Sequence, residues 1–239
     1  MTKRILPLFI AIIALLGAAG FGLSKSGAGD KIRVLIIDGR NNHNWKDTTP
    51  FLQKQLEGTG KFEVSVATTP PNGAKAEDWN SFSPDFSKCD VVLSNYNGAK
   101  WEPESVRKSF EKFLNDGGAL VNVHAANNAH KGWIGFEEAT GLLWRGNKDG
   151  ARLYLDEVGE LLKVEIGKGR GAGHGPQHEY VVQMRDSKHP ITKGIPKEWL
   201  HGKDELYHGQ RGPAKDMEIL ATAFSDSKKG GTGVHEPML

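Results

Sequence analysis

Hydrophobic and polar positions divide the 239 residues into three regimes. Ile5 to Leu16 is one apolar run behind Lys3-Arg4. From Ile32 to Asn127 short apolar runs alternate with amphipathic stretches, and beyond Asn128 the pattern loosens. Ile32–Asp38 is nearly unbroken in its apolar character, as in a parallel-sheet strand covered on both faces. The polar loop Gly39–Trp45 separates it from a helix expected over about Lys46–Leu56, with Pro50 near the first turn. Phe62–Ala67 alternates as a strand does. Thr69–Phe86 is a connection punctuated by Pro, Gly and Asn with no regular element, and Val91–Ser94 is a third strand. A helix over about Glu102–Asn115, opened by acidic residues and Pro103, runs into Asp116-Gly117-Gly118, where glycine accepts the left-handed conformation that ends a helix. Ala119–Val123 is the fourth strand.

Strands separated by helices and crossovers predict an α/β fold: a doubly wound, mostly parallel sheet flanked by helices. Ligands of such sheets bind outside the carboxyl ends of the strands. His43 follows the first strand, Asn95 and Asn97 the third, and His124 and Asn127 the fourth, so the fold expectation puts all of them on one edge. His124, titratable and at the very end of its strand, is the organising candidate. Downstream, the pattern predicts a short helix over Trp133–Leu143, a turn over Gly146–Gly150, a strand over His178–Met184 and a last strand over Glu218–Phe224. Leu153–Ile166 mixes helical and extended signals and stays unassigned. His174 lies in a glycine-rich loop, Gly167–Gly175, and Trp199–His208 carries Asp204-Glu205-Leu206-Tyr207.

Composition narrows the function classes. With 38% hydrophobic and 25% charged residues the chain is ordinary for a globular domain, and its net charge of +2 is spread out, which argues against a nucleic-acid partner. The amino terminus has the positive, apolar and small-residue regions of a secretory signal peptide, the small residues being Gly17-Ala18-Ala19-Gly20. Residues 1–29 are therefore expected to be a signal peptide and short linker, and residues 30–239 one exported domain, periplasmic or extracellular. An uncleaved membrane anchor is the alternative, because the apolar character runs on to Leu23. The single cysteine, Cys89, precludes an internal disulfide and reads as a small buried hydrophobe rather than a catalytic thiol.

Two chemistries remain open. His124 and Glu205 make an acid/base pair if they meet, since a carboxylate beside an imidazole raises its pKa towards working pH. Alternatively His43, His124, His174 and Glu205 supply a divalent metal site from separate loops, the only cofactor the sequence suggests. His174 and His178 do not form a helical zinc pair, because Gly175-Pro176 lies between them. Tyr207 and the tryptophans serve either core packing or a sugar-stacking platform.

IRVLIIDGRNNHNW, DVVLSN, NDGGALVNVHAAN, the glycine-flanked His174, HPITKGIP and DELYH, in this order, resemble the ThuA-like (trehalose utilisation) proteins over roughly residues 31 to 239. The resemblance implies a fold like that of flavodoxin and the class I glutamine amidotransferases. It also implies a role in carbohydrate catabolism, with an oxidised (keto) glycoside or related sugar as the small-molecule partner, and a hydrolase, lyase or isomerase reaction. A non-catalytic carbohydrate-binding or scaffolding role and a metal-dependent hydrolase are the alternatives. His124 stands where amidotransferases of that fold carry their cysteine nucleophile, so amidotransferase chemistry is not expected. His124 and Glu205 are the expected catalytic pair, and His43, Asn95, Asn127, His174 and Tyr207 the expected substrate contacts. Chains of this family usually continue past the match to Glu236-Pro237-Met238 into a tryptophan, a glycine-rich hairpin and a Gly-His motif, so the C-terminal part is expected to be truncated.

Overall fold

A computed structural model of the chain describes residues 30–239. The expected signal peptide and linker, residues 1–29, lie outside the described residues. Among the described residues no helix is long and apolar enough to cross a membrane.

The first half is a parallel sheet. β1 (Ile32–Asp38), β2 (Phe62–Thr68), β3 (Val91–Ser94) and β4 (Ala119–Asn122) run in the order β2-β1-β3-β4. β1 is paired with β2 from Ile32↔Phe62 to Asp38↔Thr68 and with β3 on its other side. Its unbroken apolar run is explained by burial on both faces. Val34 and Ile36 pack with Val64, Leu93 and the α1 residues Leu52 and Leu56, while Leu35 and Ile37 belong to an aromatic core with Trp79, Phe82, Phe86, Trp101 and Phe110. Helix α1 (Trp45–Gly58) thus covers one face, and α2 (Glu104–Asn115), through Val106 and Phe110, covers the other. This is the doubly wound arrangement the sequence predicts.

The turn into β4 follows its glycines. Gly117, at φ 96°, donates its N–H to Leu114, and Gly118 donates to Phe113, the paired bonds that satisfy the last carbonyls of a helix. A side chain on Gly118 would collide with the Phe113 ring. The connection from Thr69 to Phe86 is not wholly irregular, because it holds two 3-10 turns, Ala76–Ser81 and Phe86–Lys88, which bury Trp79 and Phe86. Helix α3 is shorter than expected, Ile134–Thr140.

The second half adds a second sheet, two of whose strands, β8 and β11, the sequence pattern predicts. β5 (Arg152–Leu155), β6 (Leu161–Val164), β8 (His178–Met184), β9 (Glu198–Asp204), β11 (Ala221–Phe224) and β12 (His235–Pro237) form an antiparallel sheet in the order β6-β5-β12-β11-β8-β9, and the short β7 (Gly173–His174) and β10 (Tyr207–His208) pair separately. The ambiguous 153–166 segment is the β5–β6 hairpin. It gave no period because β6 is an edge strand whose Leu161 and Leu162 face solvent. The expected last strand begins later, at Ala221, and β12 follows it in sequence and pairs beside it.

Candidate functional site

The end of β4 leads straight into a 3-10 turn, His124–Asn128, and His124 itself sits at φ 47°. A left-handed conformation is costly for most residues with a Cβ, asparagine least among them, and it is found here at the strand's carboxyl edge. Five other side chains gather there, three of them directly against its ring. The ring of His43 lies edge-on to His124 with centroids 4.6 Å apart. The Tyr207 hydroxyl is 3.2 Å from His124 Nε2. Glu205 Oε2 is 3.6 Å from that same nitrogen and 3.7 Å from His174 Nε2. Trp144 closes the group, 4.6 Å from the Tyr207 ring and 5.8 Å from that of His174.

Each member is held from behind. Asn95 does not reach this cluster. Its amide donates to Thr48 Oγ1 (2.9 Å) and Thr49 Oγ1 (3.0 Å) in the first turn of α1, while its carbonyl oxygens accept from Asn41. Asn41 in turn accepts from the backbone N–H of His43 at 2.9 Å. Asn95 therefore fixes the loop that presents His43. Asn127 is likewise buried, donating to Gln210 Oε1 at 3.0 Å and tying the His124 turn to the segment after Tyr207. His174 donates through Nδ1 to the Gly175 carbonyl at 2.7 Å, which orients its Nε2 towards Glu205. Its glycine-rich loop is pinned by the fully buried Arg211, whose guanidinium donates to the carbonyls of Lys168 and Arg170. A Cβ on Gly175 would overlap the Lys229 carbonyl, so that glycine is a steric requirement.

The electrostatics correct one expectation. Glu205 and Asp204 do pull the His124 pKa upwards, but burial and the neighbouring His43 outweigh them, and the net direction is down. The imidazole is therefore neutral at neutral pH. Burial, reinforced by Glu205 and Asp204, pushes the Tyr207 hydroxyl far above its ordinary value, so it stays protonated. The centre thus pairs a neutral imidazole with a phenol proton and a carboxylate.

One ligand atom from each of His43, His124 and Glu205 lies within 4.8 Å of the others. The His43 Nε2 is buried and has no hydrogen-bond partner among the described residues, and an orphaned imidazole nitrogen in a two-His, one-carboxylate set is the donor chemistry a divalent ion such as zinc accepts. His174 stands on the far side of Glu205. Sequence reasoning missed Trp144 and Gln210, both in stretches without periodicity. For Trp144 the signal was an aromatic residue directly before Arg145, whose buried guanidinium bonds the Asn128 and Ala129 carbonyls and fixes that loop.

A family model described as ThuA, trehalose utilisation, matches residues 33–239. A ThuA-like protein from Parabacteroides merdae ATCC 43184 has a crystal structure that superposes with a TM-score of 0.81 at 39% identity, covering 87% of this chain and 74% of that one. Another ThuA-like protein, from Bacteroides uniformis ATCC 8492, aligns with a TM-score of 0.52 at 20% identity over 91% of this chain and 78% of that one, a likeness of fold alone. No curated protein matches the chain.

Proposed function

The chain belongs to the ThuA (trehalose utilisation) family, and on that footing we propose that it binds and transforms an oxidised (keto) glycoside or related sugar derivative, with His124 as base and Glu205 as its acid/base partner. The observation that carries this reading is the convergence at the carboxyl edge of the sheet of the Tyr207 hydroxyl, 3.2 Å from His124 Nε2, and of the Glu205 carboxylate, 3.6 Å from that nitrogen and 3.7 Å from His174 Nε2. A ketone acidifies the neighbouring C–H, and a neutral imidazole is the base such a proton needs. Positioned proton transfer of this kind contributes roughly 10²–10⁴-fold to rate. Tyr207, whose hydroxyl proton rests on His124 Nε2 in the free protein, holds that ring neutral, and Trp144 offers a flat face to the apolar side of a pyranose ring. The positive and apolar regions of residues 1–29 support an address outside the cytoplasm as part of the same proposal.

Turnover of a 3-keto-glycoside by the purified protein tests it. His124→Ala and Glu205→Gln are each expected to lower kcat/KM at least 100-fold while leaving the fold intact; unchanged turnover in either variant overturns the assignment. Binding without turnover in the parent chain favours a carbohydrate-binding module instead.

The clustering of His43, His124 and Glu205 favours a second reading, a metal-dependent hydrolase. Those three residues would hold the ion, and a bound divalent ion would polarise a carbonyl or lower the pKa of water. Stoichiometric metal in the isolated protein and loss of activity with a chelator support it. Full turnover in metal-free protein excludes it.

A further inference from the structure

A second recess, about 280 Å³, opens on the antiparallel sheet and contains none of the residues gathered around His124. Its floor is apolar. Val181 and Leu200 are directly paired across β8 and β9, Phe224 and His235 across β11 and β12, and the rings of Phe224 and His235 lie 5.3 Å apart. Val181 and Phe224 are each 43% exposed and Leu200 is 62% exposed, although they are the large hydrophobic side chains of this face.

The rim is polar and short of partners. Among the described residues neither Glu179 nor Lys229 makes a side-chain hydrogen bond or ion pair. His178 donates through Nδ1 to the Pro176 carbonyl at 2.8 Å, which leaves its Nε2 lone pair free, and Gln183 uses only its carbonyl oxygen, accepting from Arg185. The Nδ1 of His235 is buried with no partner among the described residues, an arrangement that buried polar atoms normally avoid. The rim therefore offers both donors and acceptors beside a small apolar floor. The carboxylates of Glu179 and Asp226 are set against the Lys229 ammonium, so the rim is not built for a strongly charged ligand.

From this geometry we infer that the recess is a second, non-catalytic saccharide site that takes one neutral pyranose ring. The ring lays its C–H face on Phe224 and Val181, its hydroxyls donate to Glu179 and His178 Nε2, and they accept from Lys229 and the Gln183 amide. A volume of about 280 Å³, just under the roughly 300–1,000 Å³ usual for ligand pockets, suits a single ring rather than a chain of them. The site stands whether or not the His124 centre turns substrate over.

Its test is a titration of the full chain with methyl glucoside, galactose and trehalose, followed by NMR of the His178 and His235 ring protons. At least one sugar is expected to shift both signals saturably, in the parent chain and equally in the His124→Ala chain. Phe224→Ser and Glu179→Gln, both at exposed positions, are expected to weaken this binding at least tenfold while turnover of a keto-glycoside stays unchanged. No saturable shift with any of the sugars up to their solubility limits, or shifts that survive both substitutions, overturns the site. So does a fall in sedimentation mass for Phe224→Ser, because the face would then be covered by a second copy of the chain.

Discussion

The Tyr207 hydroxyl lies 3.2 Å from His124 Nε2, the nitrogen that Glu205 also approaches at 3.6 Å. Two groups thus compete for one imidazole nitrogen. With Nε2 unprotonated, Tyr207 donates to it and stabilises the neutral ring. Removing that donor in Tyr207→Phe destabilises the neutral form relative to the charged one, so the His124 pKa rises. One hydrogen bond of about 1 kcal/mol corresponds to roughly a fivefold change, which is the expected loss in kcat/KM. The acid limb of the pH–rate profile is expected below pH ~6.5 in the parent chain, the ordinary histidine value, and to move upwards in Tyr207→Phe. An acid limb that stays in place shows that Tyr207 is not the donor.

His130 sets an acid limit on stability. It is 1% exposed, caged by Tyr96, Trp101, Trp133 and Phe136, and burial drives its pKa down to about 3 from 6.5. A histidine depressed in the folded state takes up its proton first in the unfolded chain. Its contribution is therefore complete above pH 6.5 and is lost progressively as pH falls towards 3. The slope from this group alone is at most about 1.4 kcal/mol per pH unit. Urea denaturation at a series of pH values is expected to show stability falling below pH 6.5. His130→Asn keeps a residue tolerant of the left-handed backbone found there, φ 59°, and is expected to be less stable at pH 7 but to have a flatter dependence on acid. Equal slopes in the two proteins would remove His130 from this role.

Glu236 joins the antiparallel sheet to the site. Only 1% exposed, it accepts from the Arg152 guanidinium, from Thr232 Oγ1 at 2.6 Å and from the backbone N–H of Gly209 at 3.0 Å, two residues beyond Tyr207. Breaking a buried pair leaves one charge uncompensated and costs about 3–5 kcal/mol, whereas replacing both partners by apolar groups is often neutral. Glu236→Ala is expected to fall in that range by chemical denaturation, and the double replacement Arg152→Met with Glu236→Leu to recover most of the loss. A double variant no better than the single one would mean that the Gly209 and Thr232 bonds, not the ion pair, carry the stability.

Legibility in the sequence followed the locality of the constraint. β1 to β4 and their helices were readable because burial on both faces leaves runs such as Val34-Leu35-Ile36-Ile37, and because Gly117-Gly118 marks a helix end by backbone chemistry alone. β6 and β12 were not, since strands of four and three residues at partly exposed positions gain their order only from distant partners. The candidate residues divided in the same way. His43, His124, His174, Glu205 and Tyr207 were nameable as polar groups at element ends, and they come together. Asn95 and Asn127 ended their strands equally suggestively but are turned inwards to hold loops, a distinction set by Thr48, Thr49 and Gln210, which no local pattern connects to them. The left-handed turn at His124 was also invisible, because nothing in His124-Ala125-Ala126-Asn127 is a glycine.

That left-handed turn carries a cost that a variant can release. His124 holds φ 47° with a full side chain, a conformation roughly 1–2 kcal/mol above the right-handed one for residues other than glycine and asparagine. Burial, as judged by its lowered pKa, disfavours its charged form as well. Neither feature helps the chain fold, which is the pattern expected if both serve the catalytic role proposed for the ring at the strand end. His124→Asn adopts the same backbone at less strain and retains a polar side chain in the site. It forfeits ring contacts with His43 and Tyr207, which offsets part of the gain. The net expectation is stabilisation by about 0.5–1 kcal/mol, or a rise in Tm of a few degrees for a domain of this size, together with loss of the keto-glycoside activity. Thermal unfolding of the two proteins side by side measures it. A variant less stable than the parent would show that His124 is held by favourable packing, and that the turn is part of the fold's own support rather than strain kept for chemistry.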